Sequence, residues 1–331
     1  MISIRRLIAL AVCGLVVAAA GAAGAQQKQP GARPATKSTT KSIQKPVSPA
    51  EADLAYGAYQ RGLYLAAFAE ATRQVEENKD PKAMTLLGDL YANGLGVKPD
   101  EKRAADWYRL AADRGDREAM FELGLLYLQG RGVKKDRDQA ARMFTAAAER
   151  GNPPAAYNLA LIYLEGQVFE QDFAAAARWF RVAAERDLGD AQHALAILYK
   201  EGRGVPKDPA ESARWLARAT ALGHVPAMTE YAIALFNGEG VPRDEAGAAA
   251  LFRRAALSGN AVAQNRLARI VFSGRGQPKN PVEGCAWHHL ARAQSLSDPW
   301  LDQNCSSLSA DDQAAAQKLF QTWAAGAAPP T

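Results

Sequence analysis

Residues 119–151 read AMFELGLLYLQGRGVKKDRDQAARMFTAAAERG and contain two short helical patterns joined by a glycine turn. Ala119, Leu123 and Tyr127 recur every fourth residue, which places them on one face of a first helix. Gly130 ends that helix, and Asp136 stands where the next helix needs an N-cap. The second helix has a face of small residues around one large one: Ala140, Ala141, Phe144, Ala147 and Ala148. The stretch therefore predicts one helix–turn–helix unit.

This unit repeats with a period of 36 residues. The counterparts of Tyr127 are Tyr91, Tyr163, Tyr199, Leu235 and Val271. The turn begins at Gly94, Gly130, Gly166, Gly202, Gly238 and Gly274. The cap of the second helix falls at Asp100, Asp136, Asp172, Asp208, Asp244 and Asn280. A fixed period of this kind predicts an α-solenoid, in which each hairpin buries its apolar face against its neighbours.

The pattern A-x-x-x-L-G-x-x-Y-x-x-G-x-G-V, followed by an aspartate and A-x-x-W/Y-x-x-x-A-A-x-x-G, is met almost letter for letter from Ala83 to Gly115. In these residues the chain resembles the Sel1-like repeat family, a relative of the tetratricopeptide repeat (TPR). The resemblance covers residues 80 to about 295. It implies an all-α fold, a right-handed α-solenoid of TPR-like helix–turn–helix repeats. Because the motif consists of packing residues, it is specific for fold and only weakly so for function.

The repeats set the domain boundaries. A degenerate hairpin at 51–79 is predicted to cap the N-terminal end, because an outermost unit lacks a neighbour on one side. Six repeats are expected at 80–115, 116–151, 152–187, 188–223, 224–259 and 260–295. Residues 296–331 should form a C-terminal capping helix, from Ser309 to Ala325, and a tail.

The N-terminus has the features of an export signal. Arg5 and Arg6 precede an apolar run from Leu7 to Ala20, and Ala23-Gly24-Ala25 offers small residues for cleavage. We expect cleavage after Ala25, a periplasmic or secreted protein, and no stable membrane insertion thereafter. A membrane anchor is the alternative, but the second half of the run is Ala and Gly; Cys13 lies too early for a lipoprotein signal.

Basic charge is concentrated at the N-terminus. Residues 1–50 contain seven basic and no acidic side chains, which leaves 33 basic and 35 acidic ones, a net charge of −2, in the rest. Residues 26–50 have no periodicity and should be a disordered basic linker. The sequence pI near 9 thus gives no argument that the repeats bind nucleic acid.

Each second helix places a large residue among alanines, and we expect these residues to form the core. The turn of the third repeat departs from Gly-x-Gly-Val and reads Gly166, Gln167, Val168 and Phe169. We expect either a different backbone with an exposed aromatic or a local bend, and favour a local feature of a binding surface.

Cys285 and Cys305 lie beside the C-terminal cap, Cys305 in the loop before the last helix. In an exported protein their simplest state is a disulfide. Free thiols and a zinc site of Cys285, His289 and Cys305 are the alternatives.

The sequence contains no catalytic motif, and we predict no enzyme, no cofactor and no metal. There is no nucleophile elbow and no H-E-x-x-H. Some cysteine-rich Sel1-like proteins resemble β-lactam-binding or hydrolysing proteins, but they carry a cysteine pair in almost every repeat. A cell-wall or β-lactam hydrolase is therefore an alternative only.

The prediction for function rests on the first helices, which line the concave side of helical solenoids. A stripe at i, i+4 and i+7 on these helices is apolar and aromatic in the middle repeats, and we predict it to be an exposed protein-binding groove. Its residues are Phe121, Leu125, Leu128, Tyr157, Leu161, Leu164, His193, Ile197 and Phe236. Ordinary repeat packing is the alternative. The resulting hypothesis is a periplasmic, non-catalytic scaffold or adaptor for another envelope protein or peptide segment, with a polysaccharide or peptidoglycan assembly scaffold as a further alternative.

Overall fold

The computed structural model describes residues 54–327, which form sixteen helices and no strand. Their bounds are α1 Leu54–Gln60, α2 Tyr64–Asn78, α3 Pro81–Asn93, α4 Glu101–Ala112, α5 Arg117–Gln129, α6 Arg137–Glu149, α7 Pro153–Glu165, α8 Phe173–Ala184, α9 Gly189–Glu201, α10 Pro209–Ala221, α11 Val225–Asn237, α12 Glu245–Leu257, α13 Ala261–Ser273, α14 Pro281–Ala293, α15 Pro299–Ser306 and α16 Ala310–Ala324. The prediction of an all-α fold of paired helices is confirmed. The predicted signal peptide, the linker and Cys13 lie outside the described residues.

The chain divides into two compact units, with the boundary inside α6 between Met143 and Phe144. In the first unit, α1 to α5 each pack against the next helix. Asp80 accepts a hydrogen bond from the Lys82 amide and caps α3, and Asp100 does the same for α4 with the Arg103 amide. The core of this unit lies between α1, α2 and α3. It consists of alanines and leucines, among them the buried Ala67, Leu87 and Leu90. No helix in 54–327 is long and apolar enough to cross a membrane.

The second unit consists of helical pairs from α7 to α14, followed by two further helices. The predicted caps of its second helices are confirmed, since each side chain accepts a hydrogen bond from a backbone amide in the first turn: Asp172, Asp208, Asp244 and Asn280. The prediction of a large core residue on each second helix is also confirmed. Phe180, Trp215, Phe252 and Trp287 are at most 3% exposed.

The turns between paired helices depend on a second glycine. Gly204, Gly240 and Gly276 adopt φ of 70°, 74° and 69°, which favours glycine. A Cβ at each would also overlap the carbonyl group of the first residue of the preceding repeat's second helix: Phe173, Pro209 and Glu245. The third repeat has no such glycine, and there Phe169 is half-buried and stacks on Tyr163 with ring centroids 4.9 Å apart.

The C-terminal part contains one helix more than the sequence predicted. Cys305 does not lie in a loop but in α15, which Asp298 caps and Pro299 opens. Pro at the first helical position and a preceding Asp are a normal helix start, so the signal for α15 is present in the sequence. The closing helix α16 begins after Ser309 and packs on α14, where Trp323 lies 4.9 Å from Trp287 between ring centroids.

Candidate functional site

The part of the predicted stripe that lies in the first unit is on α5. Phe121, Leu125 and Leu128 are all partly exposed, and their spacing puts them on consecutive turns of one helix face. The polar side chain next to them is Glu122, which is also partly exposed. This face of α5 is therefore apolar and in contact with solvent.

In the second unit the stripe is divided between exposed and buried positions. Tyr157 is partly exposed and packs on Phe180, with ring centroids 5.4 Å apart, and its burial raises the pKa of the phenol. Phe236 is partly exposed, and the Arg275 guanidinium lies 4.2 Å from its ring centroid. The remaining four are buried, with exposures of 5%, 1%, 5% and 4% for Leu161, Leu164, His193 and Ile197. The expectation that the whole stripe faces solvent is thus wrong at these four positions.

Polar side chains at the equivalent stripe positions of other repeats show why these four residues are buried. Thr85 donates to Asp116 Oδ1 at 3.0 Å, and Lys200 Nζ lies 2.7 Å from Glu230 Oε2. Both pairs join a stripe position on one first helix to the following first helix, at its N-cap Asp116 in the first case and within α11 in the second. The stripe therefore points partly at the neighbouring repeat, and apolar side chains there are used in packing. A helix with apolar residues on nearly all sides, such as α7, gives no sequence signal for which face the neighbour covers.

Two carboxyl groups on the first helices of the first unit were not singled out from the sequence. Burial raises the pKa of Asp89 to about 6, although the Tyr108 hydroxyl donates to Asp89 Oδ1 at 2.7 Å. Burial and the charge of Asp89 raise the pKa of Glu122 to about 7. These residues are 33 positions apart, so only knowledge of the repeat stacking could have paired them.

The histidines of the C-terminal part make structural contacts. Residues 54–327 contain no group of three or more His, Cys, Asp or Glu that could hold a metal ion. His288 is buried and its Nε2 lies 2.9 Å from Asp302 Oδ1, a residue of α15. His289 contacts the Phe320 ring edge-on at 5.8 Å. Both histidines thus join α14 to the C-terminal helices.

The two cysteines of the C-terminal part are bonded to each other. The sulfur atoms of Cys285 and Cys305 lie 2.02 Å apart, and their Cα atoms 5.7 Å apart. The bond joins α14 to α15. A sulfur in a disulfide is not a thiolate, so in this state neither cysteine can serve as a zinc ligand.

Acidic residues hold α15 in place as well. Asp298 is 5% exposed and accepts hydrogen bonds from Arg269 Nε and Nη2 at 2.6 Å and from Asn265 Nδ2 at 2.8 Å. Burial raises the pKa of Asp298, but the hydrogen bonds from Arg269, Asn265 and the Leu301 amide outweigh it and hold that pKa at about 2. These polar contacts hold the start of α15 against α13.

Repeated helix pairs, a core of alanines around single large residues and partly exposed apolar faces define a helical repeat protein of the α-solenoid class. The Sel1 repeat model matches residues 81–116, 117–152, 153–188, 189–224, 225–260 and 261–296. The chain therefore belongs to the Sel1 repeat family. Sel1 repeats generally form protein–protein interaction scaffolds. No curated protein matches the chain.

Two solved structures are similar in fold. A Sel1 repeat protein from Oxalobacter formigenes is 28% identical with a TM-score of 0.63, and the match covers 75% of this chain and 99% of that one. The protein c5321, a protective antigen present in uropathogenic Escherichia coli strains and displaying an SLR fold, is 26% identical with a TM-score of 0.54, and the match covers 84% of this chain and 69% of that one.

Proposed function

We propose that this protein is a non-catalytic periplasmic scaffold or adaptor that binds another envelope protein or a peptide segment of one. Such a partner belongs to an envelope sensor, a secretion system or a cell-wall assembly complex. The observation that carries the proposal is the face of α5, where Phe121, Leu125 and Leu128 are partly exposed at i, i+4 and i+7.

An apolar row of this kind supports binding because apolar area that is removed from water on association stabilises the complex, by roughly 25 cal/mol per Å². Side chains at i, i+4 and i+7 form a continuous ridge along a helix, which fits the apolar face of a partner helix or an extended segment. The proposed surface is restricted to the side chains that are partly exposed. The four buried stripe residues contribute to it only by supporting the helices.

The test is a pair of charge substitutions with a matched control. Leu125→Glu and Leu128→Glu place a carboxylate on the ridge. Leu110→Glu places the same group on α4 of the same unit, at a leucine that is 42% exposed. A tagged mature protein is first used to purify partners from envelope extract, and the partner found is then purified and its Kd measured against each variant.

We expect the ridge variants to weaken binding by at least tenfold and the control to leave it unchanged, with all variants retaining the helical circular dichroism of the parent. Equal affinity of the parent and both ridge variants for the purified partner would refute the docking surface.

The location of the protein is tested separately. N-terminal sequencing of the protein from an osmotic-shock fraction should begin at Gln26. A full-length N-terminus in the cytoplasmic fraction would contradict a periplasmic role.

A further inference from the structure

Acidic side chains border the exposed apolar row of α5. Glu118 lies three residues before Phe121, and Glu122 three residues before Leu125, which puts each one turn from a member of the row. Asp89 holds the position of Leu125 on the preceding first helix, α3. Burial is the main cause of the raised pKa of Asp89 and of Glu122, and the charge of Glu118 raises both further. These three carboxyl groups, the acidic patch, therefore lie close together beside the row.

Cations of the first unit compensate the acidic patch only in part. Arg117 Nε lies 3.0 Å from Glu118 Oε1, but both side chains are about half exposed, and exposed pairs are weak. The charge of Arg131 lowers the pKa of Glu122, yet Arg131 Nε is paired with Glu101 Oε1 at 2.7 Å. Further positive charge next to the acidic patch is therefore favourable.

The chain itself carries such charge, in residues 26–50. This segment has no acidic residue, and its apolar side chains include Ile43 and Val47. Residues 51–331 have a net charge of −2, so the attraction is between the segment and the rest of the chain. The basic residues of the segment, of which the last four are spaced by four, are Lys28, Arg33, Lys37, Lys41 and Lys45.

The segment joins the first unit next to the acidic patch. Burial and then the charge of Asp89 raise the pKa of Tyr59 on α1, so α1 borders the patch. Leu54, the first residue of α1, is five residues from Tyr59, about 7.5 Å along the helix. Lys45 is nine residues before Leu54, up to about 30 Å of extended chain. A tethered segment of this length has an effective concentration on the order of millimolar, so weak contacts suffice for docking.

We propose that residues 26–50 dock in cis on the first unit, with their lysines beside the acidic patch and their apolar side chains against Phe121 and Leu125. The docking needs no other protein. Its consequence for binding rests on the proposed function: the segment covers the same row of α5, and a partner has to displace it. The segment then acts as a built-in competitor that disfavours weak partners.

The experiment measures the docking in the protein expressed from Gln26 to Thr331. A nitroxide label is attached at Ser38→Cys without reducing the disulfide, and amide NMR signals are compared before and after the nitroxide is reduced. At about pH 7.5, where Glu122 with its pKa of about 7 is mostly ionised, the label should remove at least about half of the signal intensity from residues 118–128. At about 1 M NaCl, where the Debye length is about 3 Å, the intensity should return.

Matched variants separate docking from mere proximity of the tether. Glu118→Gln with Glu122→Gln removes two charges from the acidic patch. Glu76→Gln with Asp138→Asn removes two charges from exposed positions of α2 and α6. The tether is identical in both, and circular dichroism checks the fold of each. The intensity of residues 118–128 should rise about twofold or more in the first variant and stay at the parent level in the second.

Three results would overturn the proposal. The first is no loss of signal at residues 118–128 in the parent. The second is an equal loss in the parent and in the variant of the acidic patch. The third is a loss that appears when isotope-labelled chains are mixed with spin-labelled, isotope-free chains, because the occupant is then a second copy. Since no partner is present, failure here is distinct from failure of the partner surface, which the Leu125→Glu and Leu128→Glu variants test.

Discussion

Gly88 allows α3 and α4 to approach each other, and replacing it with alanine should destabilise the first unit. A Cβ at Gly88 would lie 2.6 Å from Tyr108 Cδ1 and 3.0 Å from Cζ. Carbon atoms in contact are normally about 3.5–4.0 Å apart, so the ring would have to retreat by roughly 1 Å. Tyr108 is 2% exposed, so the movement would take place within the core.

The size of the effect follows from three contributions to the free energy of unfolding. Overpacking of a core costs about 1–3 kcal/mol. Displacement of the ring weakens the hydrogen bond from Tyr108 to Asp89, a bond to a carboxylate that is worth about 1.5–3 kcal/mol. Alanine returns up to about 1 kcal/mol through its higher helix propensity. The net expectation for Gly88→Ala is a loss of about 3 kcal/mol.

The matched control is Gly57→Ala in α1 of the same unit. There the nearest atom to an added Cβ is Arg61 Nη1 at 3.6 Å, an ordinary contact. This variant should be more stable than the parent by about 0.5–1 kcal/mol. Urea unfolding monitored by circular dichroism measures both variants, and a Gly88→Ala protein as stable as the parent or as Gly57→Ala would refute the account of close helix packing.

Three other predictions follow from the contacts of the C-terminal helices and of α5. Replacing both Cys285 and Cys305 with serine should lower the free energy of unfolding by about 3 kcal/mol, because the disulfide closes a loop with a sequence separation of 20. Thiol titration of the denatured mature parent should find no free thiol before reduction. One or more free thiols would contradict the pairing. Asp298→Asn should cost roughly 2–3 kcal/mol at pH 7, since the pKa of Asp298 is held at about 2. A carboxylate whose pKa is lowered by folding stabilises the protein at any pH above its pKa in the unfolded chain, and this stabilisation is lost as the pH falls through about 2. The difference in stability between parent and variant should therefore disappear in strong acid. A difference that persists there would show that charge is not the cause. Partial burial raises the pKa of Glu122 to about 7, so the stability that its protonated form contributes is fully present at pH 4 and lost as the pH rises through 7. Glu122→Gln should therefore be as stable as the parent at pH 4 in urea unfolding and more stable at pH 8. Equal midpoints at pH 8 would show that ionisation of Glu122 has no cost in the folded protein.

The fold could be predicted from the sequence because its determinants are local and repeated. Asp172, Asp208 and Asp244 occur at one repeat position, and each caps a helix. The alanines and single large residues of the second helices likewise have one function in every repeat, which is packing. The short helix α15 was missed because Asp298 stands two residues beyond the position that the period assigns to a first-helix cap.

The candidate site was predicted only in part, because exposure depends on contacts between repeats. Leu125 and Leu161 hold equivalent positions, yet Leu125 is partly exposed and Leu161 is buried. The pattern of apolar residues is the same at both, so periodicity alone could not separate them. His224 was visible in the sequence as a residue in a turn, but only the structure shows that its side chain caps α11.

The fit of Gly204, Gly240 and Gly276 against the preceding repeat has a consequence for how such a protein can change in length. Each glycine contacts the first residue of a helix one repeat earlier, so these contacts recur at a spacing of one whole repeat. Deleting or duplicating one complete repeat keeps every glycine opposite a helix start, whereas an insertion of a few residues within a helix would shift the next glycine away from it. Growth and loss by entire units is therefore the route open to this architecture, both in evolution and in the design of longer or shorter versions.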